Sequence, residues 1–347
     1  MIRRSGVTIE DVAAAVGVSR QTVSRVLNDS PNVKPAVRSS ILAAIEALGY
    51  VPNLSARRMG GGRSYLVLAI NDRARTLENW QARRGNDWVD QMLHGGMTSC
   101  EARGWHLVFE LVDTDPPLAR RGLANALASL RPDGVILTPP HCDNPDLVGL
   151  LAERGIPCAR IGHAEGTSTV DVYMDEVAAA KAATRHLIEQ GHRRIAFLAG
   201  SALYGSYALR IGGYRAALAE AGIADDLVGD GNFQFETAET VIDGWLAAPD
   251  RPTAVIAAND QMAFAAMHIA SARGLRVPDD LAVVSFEDTP GVRFSVPPLT
   301  AIRQPVSAMI ARACTSLIDI VEGDARPAAY EVPFELVCRA STGPAGA

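Results

Sequence analysis

The chain has 347 residues, 48% hydrophobic and 21% charged, which is apolar enough for two or three packed units and excludes a disordered polymer. No apolar run reaches the roughly 18–20 residues of a membrane span, and the basic start Met1-Ile2-Arg3-Arg4 leads into Glu10 and Asp11 rather than an apolar signal core. A cytoplasmic location and no membrane partner are therefore expected. Five cysteines (Cys100, Cys142, Cys158, Cys314, Cys338) lack the spacing of a disulfide framework or a zinc site and read as reduced structural thiols. The net charge of −6 argues against nucleic acid, but its distribution does not. Residues 1–63 hold nine basic against four acidic side chains (+5), and the remainder holds 24 against 35 (−11). A basic head on an acidic body is the asymmetry expected when only the head meets phosphate.

Thr8-Ile9-Glu10-Asp11 opens a first helix, with a capping hydroxyl and two acids at the positive end of the dipole. Ile9, Val12, Ala13 and Val16 recur at helical spacing and form one buried stripe. Gly17-Val18-Ser19 breaks the helix: glycine tolerates a positive φ, Val18 enters the core and Ser19 caps a second helix, Arg20–Leu27. There Val23, Val26 and Leu27 face inward, leaving Arg20, Gln21, Ser24 and Arg25 outside. That set suits a major groove, where arginine pairs with guanine, glutamine with adenine, and hydroxyls meet phosphate. A third helix begins at Pro35, is expected to bury Ile41, Leu42, Ile45 and Leu48, and ends at Gly49. An ordinary hairpin with solvated arginines would share the stripe, but not the coincidence of cap, glycine turn, outward readers and basic charge.

Residues 8–54, which read T-I-E-D-V-A-A-A-V-G-V-S-R-Q-T-V-S-R-V-L-N and later Gly49-Tyr50-Val51-Pro52-Asn53, resemble the DNA-binding head of the lactose-repressor (LacI/GalR) family almost position for position. The resemblance implies that Arg20 and Gln21 set operator preference and that Arg25 is the shared base-contacting arginine. Thr22, Ser24 and Asn28 match backbone-contacting positions, and Thr8, Ser19, Asn53 and Ala56 join the candidate DNA contacts. It further implies that residues 53–63 are a hinge helix that orders on DNA and pairs with its dimer mate. Met59 stands where a leucine usually wedges into the minor groove, a role an apolar methionine is able to keep. Gly60-Gly61-Gly62 behind it disfavour helix, so a flexible linker is the alternative.

From Tyr65 onward apolar runs alternate with helical patterns, predicting parallel sheets flanked by helices. Strands are expected at 65–70, 105–112, 134–138, 157–161, 170–174, 194–199, 253–258 and 281–286. Helices are expected near 88–103, 117–130, 145–154, 176–190, 206–221, 236–248, 260–273 and 304–321. The family resemblance extends, more loosely, to about Thr342 and implies a periplasmic-binding-protein-like body with a ligand in the cleft. The expected fold class is α/β: a three-helix helix-turn-helix head (1–52), a hinge (53–63), and a two-lobed body of two doubly wound parallel sheets. One lobe is placed at 64–164 and 293–324, the other at 165–292 and 325–347, with crossovers at the glycine- and proline-rich breaks near 162–168, 289–298 and 323–328.

Open α/β sheets bind ligands at the carboxyl ends of their strands. There, Ser206 through Tyr214 resembles the family's pocket arginine motif, with Arg210 offering a fork for two hydroxyls or a carboxylate. Asn259 offers donor and acceptor to a polyol while Asp260 caps the next helix. Glu287 and Asp288 follow a strand, Glu287 standing where the family usually shows Asp. Phe233, ahead of Phe235, sits where an aromatic stacks on a sugar face, and Gln304 opens a helix. Residues 71–92, beginning at Asn71, either line the cleft, with Arg83 and Arg84 meeting an acidic sugar, or form a solvated loop. His141 and His163 also follow strands, but no histidine pair has metal spacing.

Gly60–Gly62 precede a strand, whereas a dinucleotide loop follows one, and Gly200 and Gly205 lack the Lys-Ser/Thr of a phosphate loop. With no acid/base pair or nucleophile elbow visible, no enzyme, cofactor or metal is expected. The expected partners are pseudo-palindromic double-stranded operator DNA, a small-molecule effector that is a sugar or sugar acid, and a second copy of the chain. The tail from Ser341 to Ala347 has no leucine heptad, which favours a homodimer over a tetramer. The expected function is sequence-specific transcription regulation, a repressor controlled by its effector, with corepression by a non-sugar metabolite as the alternative.

Overall fold

The computed structural model describes residues 7–27, 30, 32–50, 63–162, 168–224 and 226–343. It divides into two compact units, Met1–Tyr65 and Leu66–Ala347. The first holds α1 (Ile9–Val16), α2 (Arg20–Leu27) and α3 (Pro35–Leu48). Thr8 Oγ1 accepts the Asp11 N–H while the Asp11 carboxylate accepts the Thr8 N–H, so both ends of the cap are satisfied. Gly17, at φ 69°, turns the chain so that the Val18 N–H donates to Ala13 O at 3.0 Å. Ser19 Oγ then accepts the Thr22 N–H at 3.2 Å and starts α2. Val12, Val23, Val26, Ile41 and Tyr50 close the core. Leu42 and Leu48 are 51% and 38% exposed, against expectation. The stripe of α3 that packs is Val37, Ile41, Ala44 and Ile45, and the two leucines fall off that face.

The second unit runs β1 (Leu66–Asp72), α4 (Arg73–Gln81), α5 (Asp87–Glu101), β2 (His106–Val112), α6 (Pro116–Leu130), β3 (Gly134–Leu137), α7 (Pro145–Glu153), β4 (Cys158–Ile161) and β5 (Val170–Tyr173). It continues with α8 (Glu176–Glu189), β6 (Ile195–Ala199), α9 (Ser206–Glu220), β7 (Leu227–Asp230), α10 (Phe235–Ala247), β8 (Ala254–Ala257), α11 (Asp260–Ala272) and β9 (Ala282–Glu287). It ends with β10 (Thr300–Arg303), α12 (Val306–Glu322), β11 (Ala329–Glu331) and β12 (Glu335–Val337). The strands make two six-stranded sheets, ordered β11-β5-β4-β3-β1-β2 and β12-β10-β9-β8-β6-β7. Central strands such as β1, β3, β6 and β8 are buried along their whole length, which is why they read as unbroken apolar runs. Strand order reverses at β1/β3 in one sheet and at β6/β8 in the other, the places where doubly wound sheets leave a crevice at their carboxyl ends.

Two expectations need correction. The chain changes sheet between β5 and α8, between β10 and α12, and between β11 and β12, so each crossover lies beyond the break that was expected to hold it. The breaks near 289–298 and 323–328 lead into short strands (β10, β11) of the sheet being left. Residues 71–92 are not a loop, because α4 forms there on an Asp72 cap. The three- and four-residue strands β7, β10, β11 and β12 were absent from the expected set.

Helices α5 and α12 pack together so closely that a Cβ on Gly95 would overlap the Ser307 carbonyl. Gly95→Ala should therefore lower the stability of this unit by about 1–3 kcal/mol through overpacking. Thermal unfolding checks this, and an unshifted melting temperature would contradict the close approach.

Candidate functional site

On the first unit, Arg20, Gln21 and Arg25 are exposed on α2, and Thr22 and Ser24 are half-buried beside them. Arg20 Nε lies 3.4 Å from Glu10 on α1, in a pair that solvent leaves weak and the guanidinium free to exchange for a stronger acceptor. Ser19 and Thr22 hydroxyls contact each other at 2.9 Å, and Thr8 is held by Asp11, so the first duty of Thr8 and Ser19 is capping. The structure thus gathers seven of the sequence-derived DNA contacts on α2 and the adjoining caps. Asn28, Asn53, Ala56 and Met59, and with them the hinge, lie outside the described residues, as does His163.

On the second unit, a cavity of about 410 Å³ lies where the carboxyl ends of both sheets face each other. Arg210 lines it from α9, 5% exposed. Its guanidinium grips Glu176 at 2.7 and 3.3 Å, donates to Ala258 O at 2.9 Å and stacks 4.2 Å over Phe286. Asn259, Phe233, Glu287, Gln304 and Asn71 line the cavity as expected. Two roles are exchanged, however. Asn259, not Asp260, caps α11 by accepting the Met262 N–H at 2.9 Å, whereas Asp260 accepts from Ser285 at 2.6 Å and the Thr289 N–H at 2.7 Å. The Asn71 amide is spent internally, on Thr138 at 3.0 Å and Met92 at 3.1 Å. Phe233 and its neighbour Asn232 both adopt positive φ (57° and 50°), strained backbone that turns the Phe233 ring onto Gly200 at the cavity wall. Phe235 packs elsewhere, against His268.

Two expected residues fall outside the lining. Asp288, fully buried, is held by Arg303 at 2.7 Å and Arg339 at 2.5 Å, and its charge is consumed tying β9 to β10 and the chain beyond β12. His141 is buried, donates from Nε2 to the Val112 carbonyl at 3.1 Å, and is kept below its ordinary pKa by desolvation. Arg83 also lies outside, while Arg84 and Trp88 line the cavity.

Apart from Arg84, sequence reasoning missed the residues that close the mouth. The Asp72 carboxylate accepts the Tyr204 hydroxyl at 2.7 Å, Arg75 donates to Asn232 at 3.0 Å, and Arg84 donates to Glu236 at 2.6 Å. Gln234 donates to Glu78, and Gln261 to the Arg84 carbonyl at 3.3 Å. All five join the stretch from Asp72 to Arg84 of one lobe to the other lobe across the cleft. Only the Asp72-x-x-Arg75 cap had a sequence signature; the other partners are too distant in sequence to be paired by spacing.

Glu287 sits at φ 103° with its carboxylate 3.4 Å from the Asp260 N–H. Desolvation, then the neighbouring Asp260, pushes its pKa up to about 8, and desolvation pushes Asp260 up to about 6.

A helix-turn-helix unit with outward arginines, together with a two-lobed body around a closed cavity, defines a sequence-specific DNA-binding regulator that responds to a small molecule. Residues 8–53 match the family model of bacterial regulatory proteins, lacI family, and residues 184–342 match that of a periplasmic binding protein-like domain. The chain is 35% identical to the HTH-type transcriptional regulator CelR of Thermobifida fusca over 93% of its length and 94% of the relative's. It is 32% identical to the ribose operon repressor of Escherichia coli K12 over 86% and 88%. Among solved structures it is similar to a CelR–cellobiose complex (34% identity, 96% and 99% covered, TM-score 0.72). It is also similar to the lac repressor dimer bound to operator and the anti-inducer ONPF (27%, 98% and 100%, TM-score 0.82). The chain belongs to the lacI family of bacterial regulators.

The raised pKa of Glu287 has a consequence for stability. A carboxyl that holds its proton more tightly folded than unfolded favours the folded state below the unfolded pKa, and that advantage is lost as pH rises towards about 8. The ligand-free protein should therefore lose stability between about pH 5 and pH 8, and Glu287→Gln should flatten that decline. Melting temperatures of both proteins across this window check it, and parallel slopes would contradict the burial of a protonated carboxyl.

Proposed function

We propose that the protein is a repressor whose operator affinity is lowered by a small carbohydrate, of the kind represented by cellobiose, bound in the cavity between its lobes. The observation that carries the reading is the cavity itself. It is sized for a small molecule, has an aromatic face at Phe233, and is lined by side chains that donate and accept hydrogen bonds, Asn259, Gln304 and Glu287 among them. Likeness to the CelR–cellobiose complex over 96% of the chain supports a β-linked glucose disaccharide as the first effector to test. Two chains pair and set two heads on a pseudo-palindrome. In each head Arg20, Gln21 and Arg25 read base edges, Thr22, Ser24 and Asn28 hold phosphate, and Thr8, Ser19, Asn53 and Ala56 fix the approach while Met59 enters the minor groove. In the body Arg210 organises the cavity floor through Glu176 more than it grips the ligand.

An operator found by selection from genomic fragments, followed by fluorescence anisotropy with and without cellobiose, tests this directly. Cellobiose is expected to weaken binding by about ten-fold or more, the size of a typical allosteric coupling. Tighter operator binding would mean corepression, and an unchanged affinity would remove cellobiose as effector. Arg25→Ala should lose about 1–3 kcal/mol of operator discrimination without altering effector affinity. Arg210→Ala should hold DNA yet fail to respond, because Glu176 is left buried without its guanidinium. A normal response in Arg210→Ala would contradict the placement of the effector.

A further inference from the structure

The cavity shares its charge unevenly. Seven carboxylates and three arginines line it, and every one of those arginines is already held by a carboxylate. Arg210 has Glu176 at 2.7 Å, Arg84 has Glu236 at 2.6 Å, and Arg75 has Glu78 at 3.6 Å. Glu236 and Glu78 do not line the cavity, so two of the three lining guanidinium groups are paired with carboxylates outside it and the third with the lining Glu176. Next to Phe286, on which Arg210 stacks, Glu287 feels the Arg210 charge and stands close enough to Asp260 and Asp87 to feel theirs as well. Its carboxylate accepts the Asp260 N–H at 3.4 Å. Its strained backbone (φ 103°, followed by φ 60° at Asp288) is pinned by the Asp288 pairs to Arg303 and Arg339, which fixes where the Glu287 carboxyl stands.

We infer that the cavity takes neutral or amine-bearing sugars and excludes carboxylated and phosphorylated ones, with Glu287 setting the response to an amine. The inference rests on the carbohydrate reading above and narrows it. An anion entering here would find like charges and guanidinium groups that each already face a carboxylate, and like charges about 5 Å apart in a protein interior repel strongly enough to cost on the order of ten-fold in affinity or more. A hydroxyl or ring oxygen has better partners. Arg75 Nη1, Arg84 Nη1 and Asn86 Nδ2 are buried donors without a hydrogen-bond partner, and buried donors of this kind call for an acceptor. The two arginine nitrogens already face Glu78 at 3.6 Å, which suits them to a neutral oxygen rather than a second full charge. An ammonium on the ligand would let Glu287 release its proton and form a charge-assisted bond. The expectation that Arg83 and Arg84 meet an acidic sugar is thereby reversed: Arg83 lies outside the lining and Arg84 is neutralised.

Isothermal titration of the full chain at pH 7 with three β-1,4-linked disaccharides of one shape separates the possibilities: cellobiose, the glucosamine dimer, and glucuronosyl-glucose. The uronic acid is expected to bind about ten-fold or more weakly than cellobiose, and the glucosamine dimer at least as tightly as cellobiose. In Glu287→Gln the affinity ratio of the amine to cellobiose should fall by about three-fold or more, with thermal melting confirming that the variant is folded. Uronic acid binding within three-fold of cellobiose, or an unchanged ratio in the folded variant, would overturn the inference while leaving the carbohydrate reading intact. Binding of the amine alone would uphold the inference and remove only cellobiose as effector. Should none of the three bind, the carbohydrate reading fails and the inference falls with it. The three-way comparison on the unaltered protein decides the exclusion of anions even if the variant does not fold.

Discussion

Side chains that reach across the cleft from the α4 strap are what make a cavity out of two facing sheets. Asp72 does two jobs at once, capping α4 through the Arg75 N–H at 3.1 Å and accepting the Tyr204 hydroxyl of the other lobe at 2.7 Å. Burial, followed by the Asp72 charge, pushes the Tyr204 phenol well above its ordinary range, so it remains a donor. Around this contact Arg75, Glu78 and Arg84 reach Asn232 and Gln234 on the β7–α10 turn and Glu236 in the first turn of α10. Each such bond contributes only about 0.5–1.5 kcal/mol net. Several together tie the two lobes across the cleft without making closure irreversible.

Beneath the strap, the floor depends on a second set of constraints. The Arg210–Glu176 pair joins the first turn of α8 to α9 and, through Ala258 O, to the end of β8, while Phe286 covers the guanidinium. A buried pair of this kind is costly to break and specifies one arrangement of the elements around it. It sits at the β6/β8 switch point, just as Asn71 and Asp72 sit at the β1/β3 switch point of the other sheet. The topology therefore dictates where the cavity opens, and the polar residues at the strand ends dictate what it accepts.

The head was legible in the sequence because its signals are local. A hydroxyl three residues before an acid, a glycine that must go left-handed and a 3.6-residue stripe lie within a few positions of one another. The central strands were legible for a similar reason, as unbroken apolar runs. The crossovers were not, since a short strand such as β5 or β11 joins its sheet through pairing with residues far away. Nor were the roles of Asn259 and Asp260, which differ only in which oxygen meets the Met262 N–H. Asp288 and His141 have the residue types of a site, but the basic residues and carbonyl that consume them, Arg303, Arg339 and Val112, are 15 to 51 residues away.

A regulator of this class works only if ligand and DNA are coupled through the free energy of one protein. Linkage requires that whatever factor the effector imposes on operator affinity, operator imposes on effector affinity. The most direct test measures the effector dissociation constant by titration calorimetry on the free protein and on the protein saturated with its operator duplex. If the effector lowers operator affinity, it should bind more weakly to the DNA-bound protein, by the same factor that it weakens operator binding. Equal effector affinity in the two states would contradict that coupling.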